Sequence, residues 1–135
     1  MDYAFLTAPC GLPCFACYLY LANEDEAMRH LVSRELGLPL EKAIRPGCRN
    51  VHGQPAHLPM RCRVYPCAAE KGVQVCSDCP DFPCDLLHPN FDNAKVWHNT
   101  QVFNLCLIKK MGLASWAQDK AQSVLEVYSY GKWKL

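Results

Sequence analysis

The sequence predicts a small, mainly α, single domain over residues 1–135, with an irregular cysteine-rich central region and a C-terminal helical hairpin. Three observations carry that expectation. A chain of 135 residues suits one domain and leaves little room for a second. Apolar residues recur at helical spacing towards both ends. Between them, residues 37–90 hold eight of the ten prolines and six of the ten cysteines. That much proline argues against extended sheet.

Taken in order, a first helix is expected from about Cys14 to Ala22. Asn23 reads as the N-cap of a second helix, with Glu24, Asp25 and Glu26 in its favourable first turn. Met28, Leu31, Val32 and Leu36 then recur near helical spacing, Gly37 supplies a stop and Pro39 follows. A short helix fits Arg63 to Lys71, ended by Gly72. Residues 94–111 read as a longer helix. Its stripe is Val96, Thr100, Phe103, Leu107 and Met111, with Cys106 beside it as a small buried side chain. Gly112 breaks it. A last helix, from about Leu113 to Val127, places Leu113, Ala117, Ala121 and Val124 on one face, so the two helices should pack as a hairpin. Tyr18, Tyr20, Trp97, Phe103 and Trp116 are expected in the core, and His30 and His98 at the surface or between helices.

Composition bounds the function. Half of the chain is hydrophobic, 20% is charged and the net charge is +1. This is globular composition. It makes no electrostatic case for nucleic acid or an anionic membrane as a partner. Residues 3–22 carry no formal charge, yet Pro9, Gly11 and Pro13 interrupt them, three cysteines lie inside and no basic start precedes them. Neither a membrane span nor a signal peptide fits, and a cytoplasmic location is expected. Thiols stay reduced there, so clustered cysteines point to metal or redox chemistry rather than structural disulfides.

The cysteines are grouped as Cys10-x3-Cys14-x2-Cys17, then Cys48, then Cys62-x4-Cys67, then Cys76-x2-Cys79-x4-Cys84, with Cys106 apart. A Cys-x2-Cys pair sets two thiolates on one side of a tight turn, and two pairs brought together complete a four-thiolate shell. Irregular segments bury little apolar surface and repay ordering entropy poorly. A structural zinc site supplies about 10 kcal/mol or more in small peptides. The central region is therefore expected to be metal-tied. Thiolates serve zinc and iron–sulfur alike. Zinc, as one or two ions, is the expectation, and a [4Fe–4S] cluster is the alternative. Cys-x3-Cys-x2-Cys is also the spacing of radical S-adenosylmethionine enzymes, but those need a barrel domain too large for this chain. Cys14-Phe15-Ala16-Cys17 at a helix start would have lowered thiol pKa values. The alternating strand and helix pattern of a thiol–disulfide enzyme is missing, however. No phosphate loop, nucleotide fingerprint or Ser-His-Asp set is recognisable, and no enzyme class follows.

Three blocks carry a family resemblance: Ala8-Pro9-Cys10-Gly11-Leu12-Pro13-Cys14-Phe15-Ala16-Cys17, Cys67-Ala68-Ala69-Glu70-Lys71-Gly72-Val73, and Cys76-Ser77-Asp78-Cys79-Pro80-Asp81-Phe82-Pro83-Cys84. In that order they resemble the DUF3795 family of small cysteine-rich proteins, whose members are presumed to bind zinc. The likeness runs on at Lys110-Met111-Gly112-Leu113-Ala114-Ser115-Trp116, so that it covers nearly the whole chain. It implies metal binding and leaves the biochemical function open, whether a structural module facing a protein partner or a redox or cluster-transfer protein. Family members often carry a Cys-x2-Cys pair where this chain has Arg45-Pro46-Gly47-Cys48, and another where it has Pro59-Met60-Arg61-Cys62. Each pair has lost its first cysteine here. Cys48, His52, His57 and Cys62 are then expected to form a replacement two-Cys, two-His site. Cys67, Cys76, Cys79 and Cys84 would form one compact shell, leaving Cys10, Cys14 and Cys17 with an open fourth position. His88 is a weaker candidate for that position. The alternative mixes the blocks, with Cys14 and Cys17 joining two of the later cysteines.

Overall fold

The structure, a computed structural model, describes residues 1–55 and 58–134. Six α-helices and several 3-10 turns make it 51% helical, with no strand among the described residues. The helices are α1 (Tyr18–Leu21), α2 (Glu26–Leu36), α3 (Val64–Lys71), α4 (Gln101–Met111), α5 (Leu113–Asp119) and α6 (Ala121–Tyr130). The mainly α class holds.

Several boundaries differ from the expectation, each for a local reason. The expected first helix is a 3-10 turn at Cys14–Ala16 followed by α1, because Cys17 is extended between them. The N-cap of α2 is Asp25, not Asn23: the Asp25 carboxylate accepts the Met28 N–H at 3.0 Å. Asn23 instead donates its side-chain amide to the Arg45 carbonyl at 3.0 Å, tying α1 to the central region. Gly37 and Gly72 both adopt the left-handed conformation at the ends of α2 and α3. The expected helix over 94–111 begins only at Gln101, after a 3-10 turn at Trp97–Thr100. Within that turn, the Asn99 side chain serves the backbone of Asn90 and the Tyr128 hydroxyl. Such local bonding competes with regular helix.

The last expected helix divides at Lys120. The break lets α5 fold back on α4 while α6 turns towards the Trp97–Thr100 turn. One straight helix would not reach both. Trp116, fully buried, donates its indole N–H to Asn104 of α4 at 3.2 Å, and Asn104 donates to Thr100 at 3.3 Å. The buried face of α4 is Gln101, Asn104, Leu105 and Ile108. The expected stripe through Phe103 and Leu107 lines a groove against α6 instead, and Phe103 is exposed. Of the five aromatics expected in the core, Trp116 is buried and Tyr18 is exposed like Phe103. Cys106 is exposed too, not buried.

The main core joins cysteines to helices. Ala8, Cys10, Cys14, Cys48, Val64, Val75 and Leu87 pack with Leu105, Ile108, Trp116, Ala117 and Ala121. A second cluster of Leu19, Ala22, Val32 and Ala43 fastens α1 to α2.

Candidate metal centres

All ten cysteines are free thiols. The two Cys-x2-Cys pairs fold alike. Cys14–Ala16 and Cys76–Asp78 are both 3-10 turns. The Cys17 N–H donates to the Cys14 carbonyl at 3.1 Å, and the Cys79 N–H to the Cys76 carbonyl at 3.0 Å. Cys17 ends its turn at φ −74°, ψ 133°, and Cys79 at φ −77°, ψ 136°. The same turn thus brings each pair of cysteines together. The turns are themselves linked, since the Cys76 N–H donates to the Pro9 carbonyl at 2.8 Å.

Cys67, Cys76, Cys79 and Cys84 border one hollow of about 20 Å³. That is roughly the room one water-sized sphere needs. Cys67 comes from α3, Cys76 and Cys79 from the turn, and Cys84 from the segment after it. Burial first, and then the neighbouring sulfurs of Cys84, Cys67 and Cys79, push the Cys76 thiol up to about 11. Lys71, in the last turn of α3, places its ammonium 3.6 Å from the Cys79 sulfur and 2.5 Å from Asp81. The Asp81 carboxylate is the larger cause holding that ammonium charged, and the ammonium in turn lowers the carboxyl of Asp81. Among the described residues, the one cation lining this hollow is therefore shared between a carboxylate and a sulfur.

A second group gathers Cys10, Cys14 and Cys48, all buried in the main core. Burial drives the Cys10 thiol far up, opposed by the Leu12 N–H and the Gln101 side chain. Burial also raises Cys14, against the Arg45 guanidinium and the backbone of Cys48. The expectation of a lowered thiol at Cys14 is thereby corrected: its turn is a single 3-10 loop whose residue is buried, so burial outweighs any favourable dipole. Burial takes Cys48 to about 11, with Cys14 adding to it and Arg45 opposing. Cys17, half-buried, is a neighbour of Cys14. Cys62 lies between the groups: it is near enough to raise both Cys48 and Cys76, and its sulfur accepts the Tyr65 N–H at 3.5 Å.

His52 is exposed, and its Nδ1 lies 3.2 Å from the Tyr65 hydroxyl, so only Nε2 is left for a ligand role. His57 lies outside the described residues. Cys48 packs with Cys10 and Cys14, and its carbonyl accepts the Gly53 N–H of the loop that carries His52 at 3.0 Å. His88 and His98 share a larger cavity with Cys10, Cys48 and Cys62. Among the described residues, no three His, Cys, Asp or Glu side chains are already drawn together as a metal shell.

Three contributors had gone without a role in the sequence: Lys71, Arg45 and Gln101. Lys71 had a signal, lying four residues after Cys67 and so one helical turn along the same face. Arg45 and Gln101 had none, because only tertiary folding brings them to the thiols.

A family model described as a protein of unknown function, DUF3795, matches residues 6–89. The chain belongs to the DUF3795 family. The match takes in all nine clustered cysteines of this DUF3795 protein and ends before α4. It does not extend to Lys110–Trp116, so the matched part is shorter than the motif resemblance suggested. Comparison with curated proteins and with solved structures returns no match. No helix among the described residues is long and apolar enough to cross a membrane.

Proposed function

We propose that this DUF3795 protein is a thiolate metal-binding module, with zinc as its ion, whose metal ties the irregular central region into a surface for a protein partner. The observation that carries the reading is the shared hollow of Cys67, Cys76, Cys79 and Cys84. Four thiolates from one helix, one Cys-x2-Cys turn and one following loop suit a closed tetrahedral shell with metal–sulfur bonds of about 2.3 Å. The side chains need to turn inward to meet there. Lys71 would then offset part of the shell's negative charge from 3.6 Å. Cys10, Cys14 and Cys48 fit a second centre, with Cys17 or Cys62 as its fourth thiolate. The two centres differ in setting: the first closes on a small hollow, and the second opens on the larger cavity.

Elemental analysis of anaerobically purified, untagged protein tests this. One or two equivalents of zinc without iron are expected. Cys76→Ser with Cys79→Ser should remove one equivalent, and Cys48→Ala should weaken the other. Iron near four equivalents with matching acid-labile sulfide would replace zinc by a cluster and favour electron transfer or cluster delivery. Anaerobically purified, untagged protein that carries neither zinc nor iron would overturn the reading.

A further inference from the structure

The cavity beside Cys10, Cys48 and Cys62 has a volume of about 360 Å³. That is the size of a small-metabolite pocket. Its walls come from the N-terminal turn, the Cys48 loop, the segment leading into α3, the residues around Asp85 and the start of α4.

Its charge is lopsided. Arg45, Arg61 and Arg63 line it, against one carboxylate, Asp85. None of the three arginines is ion-paired among the described residues. A chain of net charge +1 therefore concentrates cationic charge in one concave place. Concave charged walls focus the field and draw in ions of opposite sign.

Arg45 is the most informative of the three. Its backbone is pinned at both ends of the residue: its N–H donates to the Leu19 carbonyl at 2.8 Å, and its carbonyl accepts the Asn23 amide at 3.0 Å. Arg45 lines the cavity with no carboxylate paired to its guanidinium among the described residues; its Nε is shut off from solvent and has no hydrogen-bond partner there, which leaves the terminal nitrogens to meet a ligand. Leaving such a donor unmet is costly, and charged donors cost the most. A guanidinium is a planar fork that matches two oxygens of a carboxylate or phosphate. Gln101 and His98 line the same cavity and add hydrogen-bonding groups to it.

We propose that this cavity binds a small organic anion bearing a carboxylate or phosphate group, with Arg45 as its principal contact and Arg61 and Arg63 at its rim. A rival role for Arg45 is to offset thiolate charge on Cys14 and Cys48. That role occupies one guanidinium and leaves Arg61 and Arg63 without a purpose. The proposal goes beyond metal binding and stands on the cavity and its cations, whichever ion the thiols hold.

Backbone amide NMR spectra of the protein as purified, titrated with sodium succinate or sodium phosphate at constant ionic strength, test it. Saturable shifts are expected at Gly53, Val64 and Gln101 with one of the two probes, and the probe that saturates at lower concentration identifies the anion group. Arg45→Gln should weaken that binding about tenfold or more, as loss of a charge-assisted contact does. Arg61→Gln with Arg63→Gln, both at exposed positions, should weaken it without disturbing the fold, which keeps the test decisive if Arg45→Gln misfolds. The proposal is overturned by the absence of saturation with either probe, by equal shifts with chloride, or by an Arg61/Arg63 variant that binds like the parent. Zinc and iron are counted in the same samples. Saturable binding in protein lacking both metals would sink the metal reading and uphold this one. Full metal content without saturation would do the reverse.

Discussion

Burial lifts the thiols of Cys10, Cys14, Cys48 and Cys76, with Cys48 and Cys76 pushed up to about 11. A thiol whose folded pKa is raised favours the fold fully below its unfolded pKa, about 8.5. That contribution is lost as pH rises from there towards the folded value. Metal reverses the sign, because a ligand must be thiolate and binding releases its proton. Protein stripped of metal should therefore melt at falling temperature between about pH 8.5 and 11, by on the order of 5 °C or more. Zinc-loaded protein should hold its Tm over the same range, and lose it on the acid side as protons compete for sulfur. Thermal melts at stepped pH, with and without zinc, check this, and parallel curves through pH 7–10 would sink it. At this scale the sequence was readable where chemistry is local. The nine clustered cysteines and the stops at Gly37 and Gly72 stood out from type and spacing alone. Asn104 and Gln101 did not: a fully buried asparagine that bonds Trp116 looks, in sequence, like a surface residue.

Among the elements, α4 is the floor on which the cysteine turns rest. The Cys76–Asp78 turn packs on it, and Gly11, just before the Cys14–Ala16 turn, lies against Leu105 and Gln101. Gly11 has φ +86°, and a Cβ there would stand 2.8 Å from the Leu105 side chain and 3.1 Å from the Gln101 carbonyl. The left-handed conformation alone costs a side chain about 1–2 kcal/mol. Leu105 is fully buried and has little room to yield. Gly11→Ala should therefore destabilise the protein by about 2 kcal/mol or more. It should also weaken metal held by Cys10 and Cys14 more than metal held by Cys67, Cys76, Cys79 and Cys84. Urea unfolding with metal counts per site variant measures both, and a stability change within about 0.5 kcal/mol would sink the argument. Helix existence was legible for α2, α3 and the hairpin, whose stops are glycines. Which face of α4 is buried was not. The apolar stripe through Phe103 and Leu107 outshone the true face, whose polar members make sense only once Trp116 and Cys10 are in place.

For the whole molecule, the family match and the core disagree in extent. The match ends at residue 89, while the main core under Cys10, Cys14 and Cys48 is completed by Leu105, Ile108, Trp116, Ala117 and Ala121. The central region has few helices of its own, and its order rests on cross-links such as Arg49, which donates to the carbonyls of Thr7 at 3.1 Å and Gln74 at 2.6 Å. Metal at the proposed centres would add ties between turns without replacing an apolar floor. Each large buried side chain removed from such a floor costs about 2–5 kcal/mol, which is a large share of a marginal total. A chain ended at residue 96 keeps the matched region and all nine clustered cysteines, yet loses every one of those floor residues. It should bind zinc through local thiols without a cooperative thermal transition. The full chain with zinc should melt in one step. Calorimetry on both, at matched zinc occupancy, measures the difference. A cooperative transition in the shortened chain, near that of the full one, would show that metal alone organises the cysteine-rich region and that α4 to α6 form an appendage.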